Sequence, residues 1–183
     1  GIIGKILTDI IDQDLARIIT NNKQIAEYVK KFLADTGLEQ KIKLEMKKDD
    51  SLLKMYDIEE QLEKANNRKI WLKSGGFITI DKTEALTAID VNSGKYVGNK
   101  DLEQTVFTVN KEATIEIAKQ LRLRDIGGII IIDYIDMEKE ETKQKILEIL
   151  EENLKKDRSK TQVIGFTPLD LLEMTRKHMR SND

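Results

Sequence analysis

The chain has 183 residues, of which 39% are hydrophobic and 35% charged, and its formal net charge is −2. This length fits one domain or two small subdomains, and the nearly balanced charge excludes nucleic-acid binding driven by the charge of the whole chain. The absence of cysteine excludes disulfides, thiol catalysis and cysteine-bound zinc, and it is typical of a reducing cytoplasm. No apolar run reaches the length of a bilayer span and no signal peptide is visible, so we expect a cytoplasmic protein without a membrane segment.

Residues 1–67 are predicted to form a small α/β subdomain in which no group of residues points to catalysis. Apolar residues recur at helical spacing in three segments, and Asn21 or Asn22 can cap the second helix, which Gly37 ends. In chain order we expect a helix over Ile2–Asp14, a strand over Ala16–Thr20, a helix from Asn21 or Asn22 to Gly37, a strand over Lys41–Met46, a polar turn over Lys47–Ser51 and a helix over Leu53–Ala65.

Residues 68–183 are predicted to form a second α/β subdomain, a mixed sheet with flanking helices. Three strands joined by short turns, the first turn containing Gly75 and Gly76, favour an antiparallel meander. The alternation of strands and helices that follows implies a parallel element in the same sheet. We expect strands over Arg68–Lys73, Phe77–Asp81 and Leu86–Asn92, a loop over Ser93–Thr108, a helix over Asn110–Arg124, a strand over Ile129–Ile132, a helix over Glu138–Lys156, a strand over Thr161–Gly165 and a final helix over Leu169–Lys177.

Two acidic residues lie near the ends of strongly apolar strands, Asp90 in Leu86–Asn92 and Asp133 directly after Ile129–Ile132. Residues two apart in a strand share a face, so Asp90 and Asn92 point the same way. Ligands of open α/β sheets bind outside the carboxyl ends of the strands, and carboxylate and amide oxygens suit a hard divalent cation. Either aspartate alone can equally well cap a turn, but the pair, together with Asn92, favours a metal site for chemistry on a phosphodiester.

Three long motifs, TEALTAIDVNSG, IAKQLRLRDIGGIIIIDYIDM and LLEMTRK, closely resemble the catalytic region of the ribonuclease E/G family, in the same order and at similar spacing. The resemblance is strong from Arg68 to Lys177 and weaker before that. It implies a DNase-I-like catalytic subdomain over residues 68–183, preceded over residues 1–67 by part of an RNase-H-like subdomain. The family cuts single-stranded RNA internally at A/U-rich sites and leaves a 5′-phosphate on the downstream fragment.

By this resemblance, Asp90 and Asp133 bind the catalytic Mg²⁺, with Mn²⁺ as a substitute, and Asn92 orients a metal ligand or the scissile phosphate. A Mg²⁺ held by one or two carboxylates keeps several waters and can activate one of them as a nucleophile. No protein general base is evident, because His178 is the only histidine and is expected to be a solvated residue near the C-terminus. We therefore expect a Mg²⁺-dependent endoribonuclease that acts on single-stranded RNA in RNA processing and decay.

Other parts of that family are not visible, namely an OB-fold RNA-binding domain, a pocket for the RNA 5′-monophosphate and a cysteine pair that shares zinc between subunits. The chain starts at GIIGKILTDII and stops just after LLEMTRK, so we interpret it as an excised catalytic core without zinc, whose full-length form can be a homo-oligomer. Pro168 and Asp170 stand where the family usually has a basic residue and a glycine. Lys160 stands where a family arginine helps to hold the RNA 5′ end, and lysine keeps the charge but loses the bidentate geometry.

Several basic residues are candidates for RNA contacts. Arg122 and Arg124, at a helix end, can grip phosphates, or they can complement the helix dipole and pair with acids. Lys95, close to Asn92 in the sequence, can neutralise a phosphate near the metal. Aromatic residues such as Trp71 are sparse and not interleaved with basic ones, so no platform for stacking bases is evident. A solvated face is expected for the basic residues of the C-terminal third, which are Arg158, Lys160, Arg176, Lys177 and Arg180.

Two other functions stay open on the sequence. One is a non-catalytic RNA-binding or assembly fragment that needs further domains for activity, and the other is a metal-dependent phosphoesterase with a different substrate. Convergence of Asp90 and Asp133 within reach of one ion favours the nuclease, whereas a wide separation argues against it.

Overall fold

The structure of the protein is a computed structural model that describes residues 1–12, 17–39, 42–45, 56–94 and 102–179. The chain divides into two compact units, Gly1–Asn66 and Asn67–Asp183, and each contains both helices and strands. The predicted α/β class is thereby confirmed. Among the described residues, no helix combines the length and the apolar character needed to cross a membrane. The turn predicted over 47–51 lies outside the described residues.

The described residues of the first unit form three helices and a three-stranded parallel sheet with β1 in the middle. The helix α2 begins as predicted, because the Asn22 side chain accepts hydrogen bonds from the N–H groups of Gln24 at 2.9 Å and Ile25 at 3.2 Å. Gly37 ends it in the left-handed conformation, with a φ of 71°. The elements are α1 (Ile2–Asp12), β1 (Arg17–Ile19), α2 (Lys23–Thr36), β2 (Lys43–Glu45), β3 (Tyr56–Asp57) and α3 (Ile58–Asn66).

The second unit is built on a six-stranded mixed sheet in the order β4-β5-β6-β7-β9-β8. The first three of these strands form the predicted antiparallel meander, and β6 and β7 supply the predicted parallel pair. The elements are β4 (Lys69–Trp71), β5 (Phe77–Lys82), β6 (Leu86–Asn92), α4 (Leu102–Leu123), β7 (Gly128–Asp133), α5 (Glu140–Leu154), β8 (Thr161–Phe166) and β9 (Leu172–Arg176).

The helices α4 and α5 cover only one face of this sheet. Residues alternate along β6 between buried and exposed, so that Ile89 and Val91 join the core while Asp90 and Asn92 project from the opposite face. Ile117 of α4 is fully buried in the same core, and burying such a side chain contributes about 1.5–3 kcal/mol. The packing therefore explains why Asp90 and Asn92 lie on the uncovered face, whereas Thr87, on the core side, is buried.

Three predicted elements were wrong. The loop predicted over Ser93–Thr108 ends earlier, because α4 begins at Leu102 and buries Val106 and Val109 at helical spacing. The helix predicted over Leu53–Ala65 begins only at Ile58, because the two preceding residues pair in parallel with β1.

The final helix predicted over Leu169–Lys177 is instead the strand β9, which lies between β7 and β8. Its Leu172, Met174 and Arg176 are buried in strict alternation, which fits a strand and not a helix. Asp170, in the turn before β9, has a φ of 61°. Aspartate tolerates this left-handed conformation, and glycine adopts it freely. The backbone at position 170 therefore suits both the aspartate of this chain and the glycine expected there from the family resemblance.

Arg176, expected on a solvated face, is buried and joins three segments of the second unit. Its Nε and Nη2 donate to the Asp157 carboxylate at 2.8 and 3.1 Å, and its Nη1 donates to Asp125 Oδ1 at 3.0 Å and to the Ile126 carbonyl at 3.1 Å. Burial alone lowers the pKa of Arg176, but the hydrogen bonds and charges of the two aspartates outweigh it and raise that pKa. The arginine thus ties β9 to the turns that follow α4 and α5.

Candidate functional site

Asp90 and Asp133 lie side by side at the carboxyl edge of β6 and β7. The two strands are parallel, and Asp90 is paired directly with Asp133 in their register. Neighbouring strands are about 4.8 Å apart, and directly paired side chains project from the same face. Both aspartates are exposed on the face that the helices leave uncovered. The structure therefore brings the two predicted ligands within reach of one ion, and their role as ligands stays a prediction.

The two carboxylates repel each other. Partial desolvation of the Asp90 carboxyl group by its neighbours, and then the negative charge of Asp133, raise its pKa above the ordinary value of 3.8. A hydrogen bond from the Val91 backbone opposes them with a smaller effect. The folded protein thus binds a proton at Asp90 more readily than the unfolded chain does. The free energy of unfolding consequently falls as the pH rises from the ordinary carboxyl range through the folded pKa of Asp90.

The donor set at this edge fits Mg²⁺ better than a metal that requires a full cage of side chains. Within the described ranges, no group of three or more His, Cys, Asp or Glu residues lies close enough together to hold a metal ion. Mg²⁺ is usually bound by one or two carboxylates and keeps several waters. A cation between Asp90 and Asp133 would also offset their repulsion, because an opposite charge stabilises the ionised form of a carboxyl group.

The Asp133→Asn substitution is expected to lower the pKa of Asp90, because it removes the neighbouring charge. The partial desolvation of the Asp90 carboxyl group persists in the variant, so the pKa of Asp90 should stay above its ordinary value. An NMR titration of the side-chain carboxyl carbons in metal-free buffer measures this shift. Asp81 on β5 is the internal control, since a hydrogen bond from Arg68 holds its pKa low in both proteins. An unchanged Asp90 pKa would contradict the electrostatic coupling of the pair.

Asn92 ends β6 two residues beyond Asp90 and lies on the same exposed face. Its Oδ1 accepts a hydrogen bond from the Gly94 N–H at 2.8 Å, which fixes the orientation of the side chain. The preceding turn approaches closely, because a Cβ on Gly76 would lie 2.8 Å from the Asn92 carbonyl oxygen. The Asn92 NH₂ group can therefore donate from a defined position to a phosphoryl oxygen beside the two carboxylates.

The segment after Asp133 is fixed by a buried side chain that sequence reasoning missed. Asn110 of α4 is fully buried; its Nδ2 donates to the Ile135 carbonyl at 2.9 Å, and its Oδ1 accepts from the Ile135 N–H at 3.1 Å. Tyr134 points into the core, where its hydroxyl lies 2.7 Å from Thr114 Oγ1 and burial raises its pKa. Asn110 thus holds the chain next to Asp133. The signal in the sequence was an amide at helical spacing from Val106, Ala113 and Ile117.

His178 is not the solvated residue that the sequence predicted. It is half-buried, with Nδ1 3.0 Å from the Asp125 carbonyl oxygen and its ring against Gly127. Gly127 directly precedes β7, and the strand from Gly128 to Asp133 spans about 16 Å. The only histidine therefore lies at the opposite end of β7 from the carboxylates and is not placed to act as a base there.

The predicted RNA contacts Arg122 and Arg124 also lie far from the carboxylates. Arg122 lies in the last turn of α4 and Arg124 directly follows this helix, just before β7 starts, at the edge of the sheet opposite Asp133. Arg124 donates from Nε to Gln120 Oε1 at 3.0 Å and from Nη2 to the Asn67 carbonyl. These contacts support the structural alternative for Arg124, and RNA binding by both arginines stays a prediction.

Lys160, another predicted RNA contact, is likewise not brought to the site. Lys160 is exposed and directly precedes β8. Arg176 of β9 pairs with Thr161 of β8 on one side and with Gly128 of β7 on the other, so the start of β8 is level with the start of β7. Lys160 therefore belongs to the starting end of β7, away from Asp133. Lys95 lies outside the described residues.

The second unit is thus an α/β fold with two carboxylates at the carboxyl edge of adjacent parallel strands, an arrangement typical of proteins that bind a divalent cation at this edge. The sequence model of the ribonuclease E/G family matches residues 1–179. The chain therefore belongs to the ribonuclease E/G family, which confirms the resemblance seen in its motifs.

Individual relatives agree with this assignment. Ribonuclease G of Salmonella typhimurium (strain SL1344) is 45% identical over 179 residues, which is 97% of this chain and 37% of that protein. Ribonuclease G of Escherichia coli (strain K12) is 44% identical over the same shares of the two chains. Ribonuclease E of Escherichia coli (strain K12) is 40% identical over 182 residues, 98% of this chain and 17% of that protein. The chain thus spans well under half the length of these relatives.

Proposed function

We propose that this chain is the metal-dependent catalytic core of an endoribonuclease that cuts single-stranded RNA during RNA processing and decay in the cytoplasm. The observation that carries the proposal is the direct pairing of Asp90 with Asp133 on an exposed sheet face. Membership of the ribonuclease E/G family supports RNA as the substrate. Within the chain, we assign residues 68–183 to a DNase-I-like catalytic subdomain and residues 1–67 to part of an RNase-H-like one.

The proposed roles follow from the geometry of the site. Asp90 and Asp133, both ionised, would hold one Mg²⁺, with Mn²⁺ as a substitute. When bound, such a cation polarises a phosphoryl oxygen and lowers the pKa of a water that it holds. Asn92 orients the scissile phosphate through its NH₂ group, and Asn110 keeps the chain beside Asp133 in place.

The proposed reaction is hydrolysis of one phosphodiester bond. A water molecule gives up a proton to solvent as its oxygen bonds to phosphorus, the bond from phosphorus to the 3′ oxygen breaks, and that oxygen takes up a proton from solvent. The upstream fragment then ends in a 3′ hydroxyl, and the downstream fragment keeps the 5′-phosphate.

Cleavage of an end-labelled, A/U-rich single-stranded RNA by the folded chain, with Mg²⁺ or with EDTA, tests this function. We expect internal cuts that require the cation and yield fragments with a 5′-phosphate, identified by an exonuclease that digests only such ends. The same sequence in a duplex is the control and should resist cleavage. Equal cleavage in EDTA would contradict the role of the cation. RNA binding without cleavage would identify the chain as a binding or assembly fragment that needs the remainder of the protein.

A further inference from the structure

A cluster of three side chains, two of them exposed and one partly buried, lies on the two strands at one edge of the second unit's sheet. Trp71 of β4 is 52% exposed, and its ring centroid lies 5.1 Å from that of Phe77 on β5, with 60° between the ring planes. The Lys69 Nζ lies 4.2 Å from the centroid of the Trp71 ring and 4.1 Å from that of Phe77. We refer to Lys69, Trp71 and Phe77 as the aromatic platform.

The strand register places the aromatic platform on the same face as the candidate metal ligands. Directly paired residues of neighbouring strands project from one face. Two rows of side chains therefore cross the sheet, one formed by Lys69, Thr79, Asp90 and Asp133 and the other by Trp71, Phe77 and Asn92. Two strand spacings, about 10 Å, separate Lys69 from Asp90. A nucleic acid with one phosphate at Asp90 and Asp133 can thus place a neighbouring nucleotide on the aromatic platform.

Packing does not account for the aromatic platform. In β4 it is Ile70 that joins the core, while Trp71 projects to the other side, where the helices do not cover the sheet. A large exposed aromatic ring on an uncovered face is a feature of binding surfaces. The Lys69 ammonium, held against two ring faces, adds a positive charge at a defined position on this surface.

We propose that the aromatic platform is a base-binding subsite, in which a base of the nucleotide next to the scissile phosphate stacks on Trp71 and Lys69 neutralises a neighbouring phosphate. Proteins bind single strands by combining aromatic rings, on which any base can stack, with cations along the backbone. This inference rests on the proposed function, since Asp90 and Asp133 define where the scissile phosphate lies. The subsite was not evident in the sequence because the pairing of β4 with β5, and not the linear order, brings the cation and the rings together.

Trp71 reports directly on the proposed contact, because it is the only tryptophan of the chain. We expect its fluorescence to be quenched, saturably, when the protein is titrated in EDTA with a single-stranded A/U-rich oligoribonucleotide. An abasic phosphodiester oligomer of the same length has the same charge but no bases to stack, and it should leave the fluorescence nearly unchanged. Equal quenching by the two oligomers, or no quenching by the RNA, overturns the proposal.

Substitutions test the same contact independently of the fluorescence signal. Trp71→Ala is expected to weaken binding of a labelled RNA about 5-fold to about 100-fold, the loss that corresponds to one base stacked on an aromatic ring. Trp71→Phe should retain most of the affinity, because it keeps an aromatic ring. Ile164→Ala is the control, since Ile164 is 58% exposed on β8, at the edge of the same sheet opposite β4, and should not affect binding. Melting temperatures by circular dichroism confirm that the variants are folded.

Failure of this inference can be told apart from failure of the proposed function. If Trp71→Ala binds and cuts RNA as well as the parent does, the base-binding subsite is overturned while the nuclease assignment stands. If Asp133→Asn cuts RNA at the parent rate, the metal-binding role proposed for Asp133 fails, whereas weaker RNA binding by Trp71→Ala would still support a base contact at the aromatic platform.

Discussion

The Arg176→Met substitution is expected to lower the free energy of unfolding of the second unit by about 3–5 kcal/mol. Methionine occupies a similar apolar volume but carries no charge. The Asp157 side chain is 2% exposed and that of Asp125 is 9% exposed, so both are buried where the Arg176 guanidinium is lost. The loss of stability therefore comes mainly from the missing charge and hydrogen bonds of Arg176 and less from packing.

Urea unfolding followed by tryptophan fluorescence measures this effect, because Trp71 lies in the same unit as Arg176. Adding Asp157→Asn to Arg176→Met removes one of the buried charges and should return part of the lost stability. The two substitutions are then clearly non-additive, as expected for residues of one ionic network. Additive losses would show that Asp157 is not the group that Arg176 neutralises.

Arg68→Met is the matched control, since it breaks another arginine–aspartate pair in the same unit. Arg68 Nε lies 2.5 Å from Asp81 Oδ1, and the two side chains are 64% and 47% exposed. Breaking an exposed pair costs little stability, because water solvates each charge when its partner is removed. Similar losses for Arg68→Met and Arg176→Met would contradict the dependence on burial.

The elements predicted correctly from the sequence are those whose own residues favour the same structure that their packing in the fold requires. Asn22 caps α2 by contacts within four residues, and β6 alternates over its own length. The strand β9 was missed because its short apolar segment fits both helical and strand spacing, and only the neighbouring β7 and β8 decide between them. Arg176 was misassigned for a related reason, since its burial depends on two aspartates that are distant in the chain.

The candidate site was predictable only in part. Asp90 and Asp133 could be identified because each interrupts an apolar strand near its carboxyl end. Their direct pairing could not, because the register of β6 against β7 is set by packing of the buried faces on α4 and α5. The contact of Asn110 with Ile135, 25 residues away, likewise depends on how α4 lies on the sheet.

The Asp133→Asn substitution is expected to reduce the rate of Mg²⁺-dependent RNA cleavage by at least about 100-fold. Loss of a residue that only hydrogen-bonds to a metal ligand already lowers metal affinity or activity about 10–100-fold. The fold should persist, since Asp133 is exposed and its removal relieves the repulsion with Asp90. Initial cleavage rates on the labelled RNA, together with melting temperatures, measure both effects. Asp81→Asn is the matched control, because it makes the same chemical change on the same face of the sheet and should keep nearly the parent rate.

The pairing of Asp90 with Asp133 also predicts how the substitutions combine. If both carboxylates hold one cation, either single Asn variant already loses the ion, and the double variant should cut RNA no more slowly than the singles do. The melting temperature of the parent should rise with Mg²⁺, because a ligand that binds only the folded state stabilises it. That rise should be largely lost in both single variants and kept in Asp81→Asn. Multiplicative losses in cleavage, with the Mg²⁺ effect unchanged, would show instead that the two aspartates act in separate steps.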